Sequence, residues 1–161
     1  SDQMQEQISV YLAECTRHEL SLESSKGAGV MMRLTNELES VGDSTLNLFI
    51  QIENLENDLE FTDEMNMEVL EIYNIVNEFI KWNSSFITKG ILPMNGQDLD
   101  KSIKYEKAID ELRNKLLESS RNRLSKGSNP KAELIFIDII KHLEHIGDYS
   151  LNISQALEQT N

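Results

Sequence analysis

An all-α fold is predicted by three features of the chain. Apolar residues recur every three or four positions over five long stretches. Breakers are scarce, with 2 Pro and 7 Gly in 161 residues, and most of them gather at the gaps between those stretches. Nothing alternates with strand period over a useful length. A β-sandwich or barrel would need many more turns than this composition supplies.

Taken in order, Met4, Ile8, Tyr11 and Cys15 outline a first helix over 4–25. Lys26-Gly27-Ala28-Gly29 reads as the break that ends it. Leu34, Leu38, Val41, Thr45, Leu48, Ile52 and Leu55 then run for about six turns, giving a second helix over 28–58. Thr62 followed by Asp63, Glu64 and Met65 is a helix start with acids in its first turn. The third helix, 63–89, carries the stripe Val69, Ile72, Val76 and Phe79. Gly90, Pro93 and Asn95-Gly96 separate it from a fourth over 99–126, with Tyr105, Ile109, Leu112 and Leu116 in register. After Gly127, Asn129 caps and Pro130 opens a fifth helix over 130–159. Its stripe is Ile139, Leu143, Ile146, Ser150, Ile153 and Leu157.

Charge narrows the function. The net charge is −13, from 28 acidic and 15 basic residues. Residues 1–90 hold 17 acids and 5 bases, while 91–161 hold 11 and 10. Such a surface repels nucleic-acid phosphate, and no basic stripe offsets it. It equally disfavours electrostatic docking on anionic lipid, and it favours cations. Eight acids between Glu53 and Glu71, with no base among them, read as a solvated corner between helices. The single Cys15 cannot form an internal disulfide, which fits a reducing compartment. No apolar run approaches the ~18 residues of a membrane span. The chain opens at Ser1 inside a helical pattern and reads as a piece of something longer.

An internal repeat reorganises this picture. Shifted by 105, the run from Leu38 to Asn47 falls on the run from Leu143 to Asn152, sharing Leu-Glu-x-[Val/Ile]-Gly-Asp-x-x-Leu-Asn. Shifted by 100, Glu6 falls on Glu106, Leu12 on Leu112, and Ser25-Lys26-Gly27 on Ser125-Lys126-Gly127. The chain therefore divides into a two-helix unit, 1–60, and a three-helix unit, 61–161. The helix at 63–89 has no counterpart ahead of the first unit. A missing first helix would complete two related antiparallel three-helix units.

The repeat also duplicates a pair of acids. Glu144 and Asp148 stand at i and i+4, about 5–6 Å apart at Cβ, so they repel. Each follows the apolar stripe by one residue and so flanks the buried face, as Glu39 and Asp43 do in the first copy. Glu106 and Asp110 sit likewise beside Tyr105 and Ile109, so four carboxylates can meet at one seam. In the first unit Val10 stands where the second has Asp110. Carboxylates near a core are costly unless protonated, paired or metal-bound. Nearby bases are few: Arg33 and Lys141 by the motif helices, Lys104 and Lys107 by Glu106. A hard or borderline cation is the other compensator, and solvated or salt-bridged acids remain the alternative. Gly42 and Gly147 cost about 1 kcal/mol each inside a helix, so something approaches closely there, a helix or a metal with its waters. Asn47 and Asn152 continue the face as hydrogen-bonding residues. His142 and His145 bracket Glu144 as exposed imidazoles or supplementary ligands, and Phe79 and Trp82 belong to a core or interface.

Catalytic readings fare poorly. A ferritin-like di-iron site needs Glu-x-x-His pairs, and none of His18, His142 and His145 has a Glu three residues before it. Cys15 has no adjacent His, and no Gly-rich loop follows a strand.

Leu-Glu-Ser-Val-Gly-Asp (38–43) and Leu-Glu-His-Ile-Gly-Asp (143–148), each continued by Leu-Asn, resemble the PhoU family of phosphate-transport regulators. Ser-Asn-Pro-Lys-Ala (128–132), leading into Phe-Ile-Asp-Ile-Ile-Lys-His-Leu-Glu, is most similar to PhoU-like domains at the C-terminus of bacterial sodium/phosphate cotransporters. The resemblance implies a PhoU-like helical bundle acting as a regulatory domain on the cytoplasmic side of the cell membrane. Its partner would be the transporter portion of the same protein or another phosphate transporter, and a homo-oligomer is compatible with it. It further implies iron- or zinc-type metal held by Glu39 and Asp43 in the first bundle, and by Glu106, Asp110, Glu144 and Asp148 in the second. The family's usual Arg after the motif Glu is Ser40 in one copy and His145 in the other. A free-standing regulator that contacts a transporter ATPase and a histidine kinase, and a carboxylate-metal enzyme, are the alternatives.

Overall fold

The computed structural model describes residues 2–17, 21–55 and 61–159. Five helices follow one another: α1 (Asp2–Cys15), α2 (Leu22–Leu55), α3 (Asp63–Ile87), α4 (Gly96–Ser125) and α5 (Pro130–Glu158). The chain is all-helical among the described residues and packs as a helical bundle, as expected.

Local chemistry sets most of the boundaries. Thr62 caps α3 by accepting a hydrogen bond from the Met65 amide at 3.2 Å. Asn129 caps α5, with Pro130 in the first turn. α4 begins three residues earlier than its apolar stripe suggests. Asn95 and Asp98 form a capping box there, each side chain accepting from the other's backbone amide.

One expected break is absent. Lys26-Gly27-Ala28-Gly29 lies inside α2, and the gap falls after Cys15 instead. Ser21 precedes α2, and its hydroxyl accepts from the Ser24 amide at 3.1 Å. The two glycines are exposed, while Ala28 and Val30 between and beyond them are buried. Packing of that face outweighs the glycine penalty. The aligned Ser125-Lys126-Gly127 does end its helix, with Gly127 at φ 93°. The same three residue types therefore do different jobs in the two copies. His18, Glu56, Asp58 and Glu60 lie outside the described residues.

α5 is the hub, packed against α2, α3 and α4, while α1 packs on α2. The main core joins Ile72, Val76 and Phe79 of α3 to Ile109, Leu112 and Leu116 of α4 and to Phe136, Ile139, Leu143 and Ile146 of α5. A second cluster joins Val30 and Leu34 of α2 to Ile153, Ala156 and Leu157 of α5 and to Met94 in the α3–α4 loop. Arg33 reaches Gln155 and Glu37 reaches Asn152, so α2 and α5 run antiparallel. Trp82 is half-buried and donates from Nε1 to Ser102, with the Lys101 ammonium 3.7 Å above its ring. The α1 stripe fares differently. Met4, Ile8 and Tyr11 are exposed and Cys15 is half-buried, while Leu12, outside the stripe, is buried.

Candidate functional site

The second-unit acids meet at the α4–α5 seam. Gly147 makes the seam narrow: a Cβ there would lie 2.9 Å from Ile109 Cδ1. The close approach expected at this glycine is thus that of a helix. Glu144 and Asp148 on α5 share the seam with Glu106 and Asp110 on α4, and the carboxyls of Glu106, Glu144 and Asp148 are raised there. Burial pushes the Glu144 carboxyl up, and Asp148 adds to this. Burial and then Asp110 raise Asp148. Burial, Asp110 and Asp148 raise Glu106.

The compensating charge is Arg113, a residue the sequence reading passed over. One of its terminal nitrogens donates to Glu144 Oε1 at 2.8 Å and to Asp110 Oδ1 at 3.1 Å. Burial works against its charge, but Asp110 and Glu144 hold its proton more tightly than usual. Its Nε is buried and has no hydrogen-bond partner among the described residues. Of the bases singled out from sequence, Lys107 works against the rise at Glu106, while Arg33 donates to Gln155.

The first copy is built differently. Glu39 is half-buried and lines a groove with Met4, Gln5 and Ile8 of α1, while Asp43 and Glu6 are exposed. Position 10 is Val and position 13 is Ala, where α4 has Asp110 and Arg113. Among the described residues of α1, the counterparts of Asp110 and Arg113 thus carry no charge. Asn47 is exposed, whereas Asn152 donates to Glu37 at 3.0 Å. His145 lies 3.6 Å from Glu144, and His142, pushed down by burial and by His145, stacks edge-on against it.

The resemblance assigns a metal ion to these carboxylates. Among the described residues no group of three or more His, Cys, Asp or Glu side chains could hold one. The guanidinium of Arg113 already sits between Glu144 and Asp110.

A second charged cluster went unread. Glu133 is fully buried (0% exposed) on the first turn of α5. Arg123 donates to both of its oxygens, at 2.8 and 3.1 Å, and Ser120 and Ser128 donate at 2.6 and 2.7 Å. Arg123 also reaches Glu68 on α3 at 2.6 Å and stacks 4.7 Å from the Phe136 ring. Glu68 is therefore not part of a solvated corner. Burial alone would raise the Glu133 carboxyl, but Arg123 and the two hydroxyls outweigh it and hold it below the usual range. The cluster ties α3, α4 and α5 together at the end of the bundle opposite Met94.

The α4–α5 hairpin, with its acids, arginines and second motif, lies in the stretch that is similar to a known family. Residues 89–157 match the PhoU domain family. The PhoU match covers Glu106, Asp110, Arg113, Glu133, Glu144 and Asp148, and leaves the first motif copy at 38–47 outside. It indicates a regulatory role in phosphate homeostasis and lends no support to an enzyme. No curated protein and no solved structure matches the chain. No helix among the described residues is long and apolar enough to cross a membrane.

Proposed function

We propose that this chain is the regulatory domain of a sodium-dependent phosphate cotransporter, tuning phosphate flux from the cytoplasmic side through protein contacts. The supporting observation is the PhoU match over 89–157, joined to a second motif copy outside it on the antiparallel partner helix α2. Two motif helices packed against each other make a rigid scaffold, and the exposed apolar residues of α1 and α2 make a surface for a partner. Metal at Glu39 and Asp43, or at Glu106, Asp110, Glu144 and Asp148, is not needed for this role.

Deleting the coding sequence for residues 1–161 and measuring radiolabelled phosphate uptake, with and without sodium, tests the reading. A change confined to sodium-driven uptake is expected. A change in sodium-independent uptake alone would favour a free-standing regulator, and unchanged uptake at both low and high phosphate would remove the phosphate assignment altogether.

A further inference from the structure

We infer that residues 88–95, between α3 and α4, form a strained strap that opens while the main core stays closed, and so loosens the clasp between α2 and the last turns of α5. Backbone strain is the first observation. Ile91 has φ 56°, next to Gly90 at φ 104°. Glycine adopts that region freely. A β-branched residue does not, because its Cβ crowds the following carbonyl. Holding Ile91 there weighs against the closed strap by about five- to thirtyfold.

Packing holds the strain in place. Met94 is fully buried between exposed Pro93 and Asn95, and it joins Val30 and Leu34 of α2 to Ile153 and Leu157 of α5. Ile91 packs on the same cluster. The Met94 amide donates to the Leu157 carbonyl at 3.2 Å, where α5 runs out of its own donors. The Leu92 amide turns back to Phe86 of α3 at 3.0 Å, and the Leu92 side chain is exposed. Two side chains and one hydrogen bond to α5 therefore keep Ile91 in a conformation that its own sterics resist.

Both ends of the strap are pinned, which confines its opening. On α3, buried Asn83 donates to the Ser150 carbonyl at 2.6 Å and accepts from the Ser154 hydroxyl at 2.7 Å, both on α5. On α4, the Asn95–Asp98 capping box fixes the first turn, and Ser102 accepts from Trp82 of α3 at 3.2 Å. Ile91 and Met94 belong with the second cluster, and the main core is assembled without them. Lifting them leaves Phe79, Ile109 and Phe136 packed. The strap is thus a small unit that can open by itself. What it clasps is the pair of motif helices, because Met94 touches a cluster shared by α2 and α5.

Amide hydrogen exchange tests this, read by nuclear magnetic resonance on the 161-residue chain in urea below the unfolding transition. After correction for intrinsic rates, the Met94 amide is expected to exchange at least about tenfold faster than those of Ile139 and Leu143. Its rate should also depend little on urea, because a local opening exposes little surface. Two variants separate strain from packing. Ile91→Ala and Ile91→Gly both discard the side chain that packs, but alanine keeps the Cβ that crowds the backbone. The Met94 amide should exchange at least about threefold more slowly in Ile91→Gly than in Ile91→Ala. Circular dichroism confirms that both variants fold. Met94 exchange with the rate and urea dependence of Ile139 and Leu143 overturns the proposal, since the strap would then open only with the whole bundle. Exchange in Ile91→Gly as fast as in Ile91→Ala, or faster, overturns it too, since no strain would be held at Ile91.

Discussion

Arg113 settles how four carboxylates can share one seam. Its side chain is about one-quarter exposed and that of Glu144 only 13% exposed, so their ion pair is shielded from water on most sides. Arg113→Ala removes the guanidinium that bonds both Glu144 and Asp110, and leaves a partly buried acid cluster behind. We expect a stability loss of about 1.5–3 kcal/mol by urea denaturation, the range for hydrogen bonds to charged groups. We also expect a gain in cation binding. After dialysis against micromolar zinc or ferrous iron, plasma emission spectroscopy should find less than one equivalent in the parent chain and more in Arg113→Ala. A full equivalent in the parent would mean that the guanidinium does not fill the cation's place. The acids of this seam were legible because their spacing repeats between copies and flanks an apolar stripe. The arginine was not, although Asp110 and Arg113 at i, i+3 offered a signal. Its decisive partner, Glu144, is 31 residues away and joined only by the packing of α4 on α5.

At the scale of elements, Gly147 shows how a single residue sets the distance between α4 and α5. Alanine there gains about 1 kcal/mol of helix propensity but presses against the end of the Ile109 side chain, which can move. Gly147→Ala should therefore be near neutral. Gly147→Val adds bulk that Ile109 cannot clear, and should cost about 1–3 kcal/mol as an overpacked core. Ile109→Val, which removes the Cδ1 methyl, should recover part of that loss in a double-mutant cycle. Purely additive costs would show that the two helices do not meet at this point. The helices themselves were easy to read where both sides of the stripe are buried, as in α5, and where caps are explicit, as at Thr62 and Asn129. They were misread at 26–29, where glycine suggested a break. Helix α2 instead keeps Ala28 and Val30 against its neighbours, and the start signal at Ser21 was overlooked.

For the whole molecule, two acidic clusters at different places respond to protons with opposite sign. Glu106, Glu144 and Asp148 bind protons more tightly in the folded chain than at their ordinary values of 4.5, 4.5 and 3.8. Their contribution is fully present below those ordinary values and is lost as pH rises through the raised, folded ones. Glu133 is held below 4.5, so its contribution is present above that value and is lost as pH falls through the folded one. Acidification from neutral should first stabilise the bundle, helped by the discharge of a −13 chain. Further acidification should destabilise it as Glu133 takes a proton and Arg123 loses its buried partner. Urea midpoints measured at constant ionic strength from pH 7 to pH 3 should thus pass through a maximum on the acid side of neutrality. Asp148→Asn should flatten the rise, and Glu133→Gln should lower stability at neutral pH and flatten the acid-side fall. A midpoint that declines steadily from pH 7 downward would mean that the α4–α5 acids gain nothing from protonation, and that Arg113 alone already balances their seam.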